Sequence, residues 1–318
     1  MNQPAFHADI LAEPAALTAL LDAYAAEPPH AGIDLLGARR VVLLGMGSSY
    51  FAAHAAAVAL RARGVDAHVE LASAATPMPP SADTITIGIS ASGGSEETIE
   101  ALRRHRGTSR TIAITNVPES AIAEGVDTVL PLLCGEEGGG IACRSYLLTL
   151  AVLQLLCGTD PAAIRTAVPA LEGIIGTTDA WLDPLVTLLD DGAAYVIAPW
   201  ERLSSALQGA LMLREAPRIP ADGCETGDWL HVDVYLSKHP NYRAVLLRGS
   251  RYDEGVLDWA RQRASSIVAI GAPIDDAVQA IRYPGDDDPL VQLLAENTIL
   301  ELAACELWAR RISTDRMP

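Results

Sequence analysis

Short apolar runs alternate with longer Ala- and Leu-rich stretches along the first half of the chain. The short runs are rich in β-branched residues and predict strands, and the longer amphipathic stretches predict helices. The predicted strands are Arg40–Leu44, His68–Leu71, Thr84–Ile89, Thr111–Thr115 and Thr128–Pro131, and the helices between and after them include Tyr50–Arg63, Glu96–Arg104 and Ser145–Leu156. Alternating strands and helices are typical of a mostly parallel sheet with helices on both faces, so the pattern predicts an α/β fold.

The second half of the chain repeats this plan. Strands are predicted at Ala194–Ile197, Arg243–Arg248 and Ser265–Ile270, and helices at Leu203–Glu215 and Leu290–Arg311. The strands are similarly spaced in the two halves, since Leu43, Ile87 and Ala113 correspond in order to Val196, Leu246 and Val268. Two copies of one α/β unit are the simplest explanation of this spacing.

The domain organisation follows from the same pattern. We expect an N-terminal helical segment at 1–30 with an amphipathic helix over Pro14–Ala26, a first α/β domain at 31–158, a connecting segment at 159–183 and a second α/β domain at 184–318. The connection, Asp160–Pro184, is rich in Pro, Gly and Thr and is predicted to carry one helix near Ile164–Ile174. A chain of 318 residues is long enough to bury the cores of two such domains.

Composition and charge narrow the classes of function. Forty acidic residues against 23 basic ones give a net charge of −17, which argues against binding to nucleic acid or to anionic membranes. The longest apolar stretches, such as Leu147–Cys157, fall short of the ~20 residues that span a bilayer, and Met1–Ile10 lacks the features of an export signal. We therefore expect a cytoplasmic protein.

The five cysteines, Cys134, Cys143, Cys157, Cys224 and Cys305, are scattered and form no CxxC pair. No histidine cluster has the spacing of a zinc site. We expect reduced thiols that are mostly buried, with no metal ion and no organic cofactor.

A glycine-rich turn, Gly45-Met46-Gly47-Ser48-Ser49, lies between a predicted strand and a predicted helix. The N-terminus of that helix offers backbone N–H groups and the positive end of the helix dipole to an anion. The third glycine of a dinucleotide-binding fingerprint is missing, and no acidic residue follows the next strand at the expected place. An anion-binding turn and a purely structural tight turn both stay open, and a nucleotide-binding enzyme is a weaker alternative.

A second segment, Ser90–Thr98, also lies between a strand and a helix and carries four hydroxyl groups, on Ser90, Ser92, Ser95 and Thr98. In α/β sheets, ligands bind at the carboxyl ends of the strands, where such hydroxyls and backbone amides can hold the oxygens of a phosphate group. The structural alternative is N-capping of the helix by Ser95, which accounts for one or two of the hydroxyls but not for four. The sequence therefore predicts a phosphate site.

With these two segments, the chain resembles the sugar isomerase (SIS) family, and more closely the isomerase half of glucosamine-6-phosphate synthases and their stand-alone relatives. The motifs that carry the resemblance are Gly45-Met46-Gly47-Ser48-Ser49-Tyr50, Ile89-Ser90-Ala91-Ser92-Gly93, Thr115-Asn116-Val117-Pro118-Glu119-Ser120 and Gly209-Ala210-Leu211-Met212-Leu213-Arg214-Glu215. The resemblance runs from about Val41 to the C-terminus and implies two tandem SIS domains, each a flavodoxin-like parallel five-stranded sheet between helices.

The resemblance also implies roles for particular residues. The residues that it implies for binding of the phosphate and the sugar are Gly47, Ser49, Ser90, Ser92, Ser95, Cys143 and Arg144. Glu215 occupies the position of the family's carboxylate that moves a proton between adjacent sugar carbons. His231 occupies the position of the histidine that assists ring opening and that reaches the site from the partner subunit of a homodimer.

The chemistry of proton transfer favours the last two roles independently. Aldose–ketose interconversion needs one base that takes a proton from one carbon and returns it to the next, and ring opening needs a group that titrates near neutrality. The structural alternative for Glu215 is a surface residue paired with Arg214 or Arg218. The alternative for His231 is an interface or core histidine held by neighbouring acids.

Several positions depart from the synthase pattern. Ala91 replaces a glutamine between the phosphate serines, Cys143-Arg144-Ser145 replaces Ser-Thr-Lys, and Met212 replaces a lysine. Arg144 is a candidate for a bidentate clamp on a phosphate or carboxylate. The chain ends at Arg316-Met317-Pro318 without the synthases' tail lysine, and no catalytic cysteine of a glutaminase domain follows Met1-Asn2.

The resemblance therefore implies an isomerase or deaminase that acts on an amino-sugar phosphate or a sugar–amine adduct. The retention of Glu215 and His231 favours an enzyme. Ala91 and the missing lysines favour the alternative, a sensor that binds a sugar phosphate without turnover.

Overall fold

The computed structural model describes residues 1–190, 192–271 and 279–314, which form two compact units. The N-sheet unit comprises 15–137 and 144–165, and the C-sheet unit comprises 1–14, 138–143 and the residues from Thr166 on. The helices are α1 Gln3–Leu11, α2 Glu13–Ala26, α3 Ser48–Ala62, α4 Glu96–Arg103, α5 Arg144–Leu156, α6 Pro161–Arg165, α7 Ala167–Gly176, α8 Thr178–Leu189, α9 Leu203–Glu215, α10 Thr226–Trp229, α11 Asp253–Arg263 and α12 Pro289–Ser313.

The N-sheet unit is built on one parallel sheet. Its strands are β1 Arg40–Gly45, β2 Asp66–Leu71, β3 Thr84–Ile89, β4 Arg110–Thr115 and β5 Thr128–Pro131, in the order β2-β1-β3-β4-β5. Every residue of the central strand β3 is buried, as expected for a parallel strand covered on both faces. On one face, Val42 of β1 and Ala113 of β4 pack against Ile99 and Leu102 of α4.

The C-sheet unit contains a second parallel sheet. Its strands are β6 Ala194–Ala198, β7 Ala221–Glu225, β8 Arg243–Leu247, β9 Ser266–Ile270 and β10 Gln279–Ile281, in the order β10-β9-β8-β6-β7. Trp229, Leu246 and Leu257 belong to a core cluster on one face of this sheet. The long helix α12 begins where Asp288 accepts hydrogen bonds from the N–H groups of Leu290 and Val291.

The predicted α/β class is confirmed, with two parallel five-stranded sheets flanked by helices. Strands β7 and β10 were not predicted from the sequence. They are the two edge strands of the second sheet. The sequence of β7, Ala-Asp-Gly-Cys-Glu, has no apolar run, because an edge strand has fewer neighbours to pack against. Helices α1, α10 and α11 were also missed.

A helix is present near Ile164–Ile174 as predicted, since α7 covers Ala167–Gly176, but the connection contains more helix than was predicted. Three successive helices, α6, α7 and α8, occupy this stretch, and Pro184 lies inside α8. Burial of Trp181, Leu185 and Val186 from α8 outweighs the weak helix propensity of the sequence. The domain boundaries drawn from sequence stay a prediction.

Within the described residues, no helix combines the length and the apolar character needed to cross a bilayer. All five cysteines are unbridged, and four of them are buried; the exception, Cys224, is half-buried.

Gly223 sets how closely β7 approaches α9. A Cβ atom at Gly223 would lie 2.6 Å from the backbone carbonyl carbon and oxygen of Ala206, which have no flexible atoms to yield. We expect Gly223→Ala to lower the free energy of unfolding by about 1–3 kcal/mol through overpacking, measured by denaturant titration. The matched control is Gly176→Ala, since a Cβ there meets nothing within 4 Å. Equal stability of the two variants would contradict the close approach.

Candidate phosphate-binding and proton-transfer residues

The order of the first sheet creates a switch point between β1 and β3. These strands are neighbours, while the chain continues from β1 to β2 on one side and from β3 to β4 on the other. Because the strands are parallel, their carboxyl ends at Gly45 and Ile89 lie at the same edge of the sheet. Such a switch point is where open α/β sheets form a ligand-binding crevice.

The turn after β1 brings the start of α3 close to the end of the strand. A Cβ atom at Gly45 would lie 2.9 Å from the backbone nitrogen of Tyr50, and the exposed Gly47 has a positive φ of 50°. The backbone N–H of Ser49, a half-buried residue, donates to the Met46 carbonyl at 3.1 Å. The first turn of α3 has no acidic side chain, so no carboxylate within that turn opposes the positive end of the helix dipole.

The turn after β3, which we call the serine loop (Ser90–Ser95), is attached to β4 by its backbone. The N–H of the buried Ser90 donates to the Ile114 carbonyl at 3.0 Å, and the N–H of Asn116 donates to the Ala91 carbonyl at 3.0 Å. Gly93 has φ +66°, and its N–H donates to the Ser90 carbonyl at 3.0 Å. The loop therefore has a defined conformation without help from a ligand.

The hydroxyl groups of this region have two different environments. Some take part in capping helix α4, whereas that of Ser92 is exposed. Ser95 caps α4, since its Oγ accepts from the N–H of Thr98 at 3.4 Å and lies 3.0 Å from Thr98 Oγ1. Capping thus accounts for these two hydroxyls. Ser92 is exposed, and its Oγ accepts from the N–H of Gly94 at 3.3 Å. A hydroxyl that accepts one hydrogen bond can still donate its proton to an anion.

Acidic side chains limit how a phosphate can bind here. Glu96 and Glu97 stand in the first turn of α4, and the hydroxyl of Ser95 donates to Glu97 Oε2 at 3.2 Å. These carboxylates oppose an anion at the N-terminus of α4. A phosphate at the serine loop therefore depends on backbone N–H groups, on Ser92 and on the start of α3.

Arg144 and Cys143 occupy neighbouring positions in sequence but belong to different units. Arg144 begins α5 in the N-sheet unit, and its Nη2 donates to the Glu136 carbonyl at 2.5 Å. Glu137 Oε1 accepts from the N–H of Ser145 at 3.1 Å, so a carboxylate of the protein already neutralises the start of α5. Cys143 is fully buried in the C-sheet unit. The clamp by Arg144 and the sugar contact of Cys143 stay predictions.

Glu215 is the last residue of α9 and is half-buried. Burial raises the pKa of its carboxyl group, and the nearby positive charges of Arg218 and Arg214 offset this only in part. A raised pKa suits a carboxylate that takes up a proton and gives it back. Met212, at the position where the synthases have a lysine, is fully buried.

His231 follows the short helix α10 and is exposed, so it is not a core histidine. Its backbone N–H donates to the Asp228 carbonyl at 2.9 Å. The turn is anchored by Trp229, whose buried Nε1–H donates to the Tyr242 hydroxyl at 2.7 Å. The last residues of the sequence, Arg316-Met317-Pro318, lie outside the described residues.

Residues at the end of β4 belong to the same edge but were not predicted as site residues. Thr115 Oγ1 donates to the Ala91 carbonyl at 3.3 Å, and Asn116 joins the loop after β5 by donating to the Gly135 carbonyl at 2.6 Å. The available signal was their position at the end of the predicted strand Thr111–Thr115, which Thr115 closes and Asn116 follows.

The first half of the chain is similar to a known domain family. Residues 34–157 match the family model described as "SIS domain". This segment of the chain is therefore similar to an SIS domain, and it includes β1–β5 and the serine loop.

Relatives extend the similarity beyond that segment. The glutamine–fructose-6-phosphate aminotransferase (isomerizing) of Aeropyrum pernix is 26% identical over 306 residues, which cover 87% of this chain and 49% of the relative. The chain thus spans about half the length of the curated relatives it matches.

Two solved structures share the fold. The C-terminal domain of glucosamine-fructose-6-phosphate aminotransferase from Francisella tularensis has a TM-score of 0.83 at 16% identity and covers 97% of this chain and 99% of its own. Glucosamine-6-phosphate deaminase from Thermotoga maritima has a TM-score of 0.74 at 14% identity and covers 96% and 95%.

Gly93 is the position in the serine loop that tolerates a side chain least. A Cβ atom there would lie 1.8 Å from Ser120 Oγ, and the positive φ adds backbone strain. We expect Gly93→Ala to lower the free energy of unfolding by about 1–3 kcal/mol, measured by denaturant titration. Gly94→Ala is the matched control, because its nearest neighbour is Ser92 Oγ at 3.9 Å. A Gly93→Ala protein as stable as the control would refute this loop conformation.

The raised pKa of Glu215 makes a prediction about stability. The folded state favours the protonated carboxyl, so its contribution is present below the ordinary carboxyl pKa of about 4.3 and is lost as pH rises through the folded-state pKa. The melting temperature of Glu215→Gln relative to wild type should therefore increase between about pH 4 and pH 8.

Glu172→Gln, at an exposed position on α7, corrects this comparison for the loss of one negative charge. A corrected difference that stays constant across this pH range would contradict the raised pKa of Glu215.

Proposed function

We propose that the protein binds a phosphorylated sugar at the serine loop and isomerises or deaminates an amino-sugar phosphate or a sugar–amine adduct. The observation that carries this proposal is the position of the serine loop at the switch point between β1 and β3, beside the start of α3. Backbone amides, the Ser92 hydroxyl and the dipole of α3 are suited to a phosphate group. Two similar proteins, which are named for fructose 6-phosphate and glucosamine 6-phosphate, support the same substrate class.

Glu215 is our candidate for the base. Its carboxylate would take the proton from C2 of an open-chain 2-amino aldose, so that the C–H electron pair forms a C1=C2 double bond while the C1=O π pair moves to O1, which takes a proton from solvent. Return of the first proton from Glu215 to C1 lets the nitrogen lone pair form a C2=N bond as the nitrogen releases a proton to solvent. The product is a ketimine, which water hydrolyses to the ketose and ammonia. A carboxyl group with a raised pKa can hold the proton between the two steps. Without the hydrolysis, the same transfer isomerises a sugar–amine adduct.

His231 is our candidate for ring opening, which needs a group that exchanges protons near neutral pH. Its exposure on the turn after α10 is compatible with contact to a ligand or to another chain. We also propose, from the family resemblance, that the chain carries two tandem SIS domains and acts as a homodimer in which His231 serves the partner's site. Binding of the sugar phosphate by Ser49, Ser90 and Ser92 completes this assignment.

A sensor without turnover is the second candidate function. The observation that favours it is the buried methionine at position 212, where the synthases have a lysine, together with Ala91 in the serine loop. Both changes leave phosphate binding possible while they remove polar groups from the predicted site.

Turnover separates the two candidates. Wild-type protein and Glu215→Gln should be incubated in heavy water with glucosamine 6-phosphate, with fructose 6-phosphate plus ammonia, and with fructose-6-phosphate amine adducts, and followed by NMR. We expect wild type to release ammonia or to exchange a carbon-bound proton with solvent on at least one compound. Glu215→Gln should be slower by at least about a hundredfold with unchanged phosphosugar affinity.

The outcomes are distinct. Binding of phosphosugars with no exchange or turnover in either protein would establish the sensor and exclude the enzyme. Equal turnover by both proteins would remove Glu215 from the reaction. No binding of any phosphosugar by wild type would overturn the proposal as a whole.

A further inference from the structure

Helix α1 holds a glycine-rich segment, Gly138–Cys143, which belongs to the same unit and ends at a predicted sugar-binding residue. The N–H of Gly139 donates to the carboxylate of Asp9 at 2.8 Å, and the N–H of Asn2 donates to the Gly139 carbonyl at 3.1 Å. Asp9 is buried although it carries an ionisable side chain. Both backbone groups of Gly139 are therefore bound by the first residues of the chain.

The glycines allow this contact. A Cβ atom at Gly139 would lie 2.5 Å from Phe6 Cα, and one at Gly138 would lie 3.3 Å from Ala5 Cβ. Phe6 itself is fully buried and packs near the Trp308 ring of α12. The segment and the backbone of α1 are therefore in direct contact.

The same segment contacts α9, the helix that ends at Glu215. The Nε2 of Gln208, a fully buried residue, donates to the Ala142 carbonyl at 3.1 Å. Gln208, Met212 and Glu215 have the spacing of one helix face, so the segment lies against the face on which the proposed base is found. Asp9, Gly139, Ala142 and Gln208 thus connect α1 to α9.

The opposite face of α1 is loosely packed. Gln3, His7 and Leu11 line a cavity of about 260 Å³, and Gln3 Nε2 donates across it to the Cys305 carbonyl at 3.3 Å. A short helix bordered by a cavity on one face depends more on its contacts on the other. The Asp9–Gly139 hydrogen bond is the charged contact on that other face.

We propose that Asp9 is a positioning residue for the substrate site, because its carboxylate fixes the segment that carries Cys143 against the Glu215 face of α9. This inference rests on the proposed function together with the contact between Cys143 and the sugar that the family resemblance predicts. Loss of the Asp9 acceptor leaves the Gly139 N–H unpaired and lets the segment move away from α9. Substrate affinity should then fall more than the rate of proton transfer, since Glu215 itself stays in place.

Three variants of the full chain test this role. Asp9→Ala removes the acceptor, and Asp9→Asn keeps an oxygen that can accept from the Gly139 N–H. Gln3→Ala removes the hydrogen bond on the cavity face of α1 and is the matched control for loosening of the helix. The readouts are alkylation of Cys143, mapped by mass spectrometry, and KM and kcat for the phosphosugar that wild type turns over.

We expect Asp9→Ala to raise the alkylation rate of the buried Cys143 and the KM by about tenfold each, with kcat changed less than about threefold. Asp9→Asn and Gln3→Ala should stay within about threefold of wild type in every readout. An increase in KM or alkylation for Gln3→Ala as large as for Asp9→Ala, or a fall in kcat without a change in KM, would overturn the positioning role.

Failure of the proposed function gives a different result. If wild type turns over no phosphosugar, KM is replaced by the dissociation constant of glucosamine 6-phosphate measured by calorimetry. If wild type also binds none, the proposed function has failed, and alkylation decides the structural part. Unchanged alkylation of Cys143 in Asp9→Ala would then overturn the inference, and a selective tenfold increase would support it.

Discussion

Parallel pairing of β1 with β3 is the constraint on which the candidate phosphate site depends. The pairing places the ends of the two strands at one edge of the sheet, and each strand is followed there by a turn that contains small residues. Hydrogen bonds from the serine loop to β4 then fix the loop independently of its hydroxyl groups. Disruption of this pairing would separate the start of α3 from the serine loop. Each of these two segments alone offers only a few hydrogen-bond donors to an anion.

The negative charge of the protein means that a phosphate group can be held only by short-range donors such as those at the switch point. A protein with a net charge of −17 repels a phosphorylated ligand at long range, and Glu96 and Glu97 stand beside the loop itself. At α5 the carboxylate of Glu137 already caps the helix, so that helix start is satisfied by the protein. Backbone N–H groups at the switch point therefore carry the affinity in our account, because they are short-range donors and are little affected by the overall charge.

The sequence predicted those parts whose cause is local. The buried strand β3 and the helix α9 follow from an apolar run and from helical periodicity, and the structure has both. The structure also has the cap of α4 by Ser95, which was the alternative to the predicted phosphate contact of that residue. The position of Ser90–Ser95 directly after a parallel strand could also be predicted, because the apolar run of that strand is a local signal. The catalytic roles of Glu215 and His231 stay predictions.

Other features depend on partners far away in the chain and were not predictable from local pattern. Strand β7 lacks an apolar run and exists because it pairs with β6, and Pro184 is accommodated in α8 because that helix buries Trp181. The contact of Asp9 with Gly139 joins residues that only the folded chain brings together. Three glycines in a row, Gly138–Gly140, carry no local signal for the helix that packs on them.

The most direct test of the central claim is a crystal structure of the protein soaked with glucosamine 6-phosphate. Our account predicts phosphate density at the serine loop, within hydrogen-bond distance of the Ser92 hydroxyl and of backbone N–H groups between β3 and α4. Phosphate bound elsewhere, with the serine loop empty at saturating ligand, would contradict it.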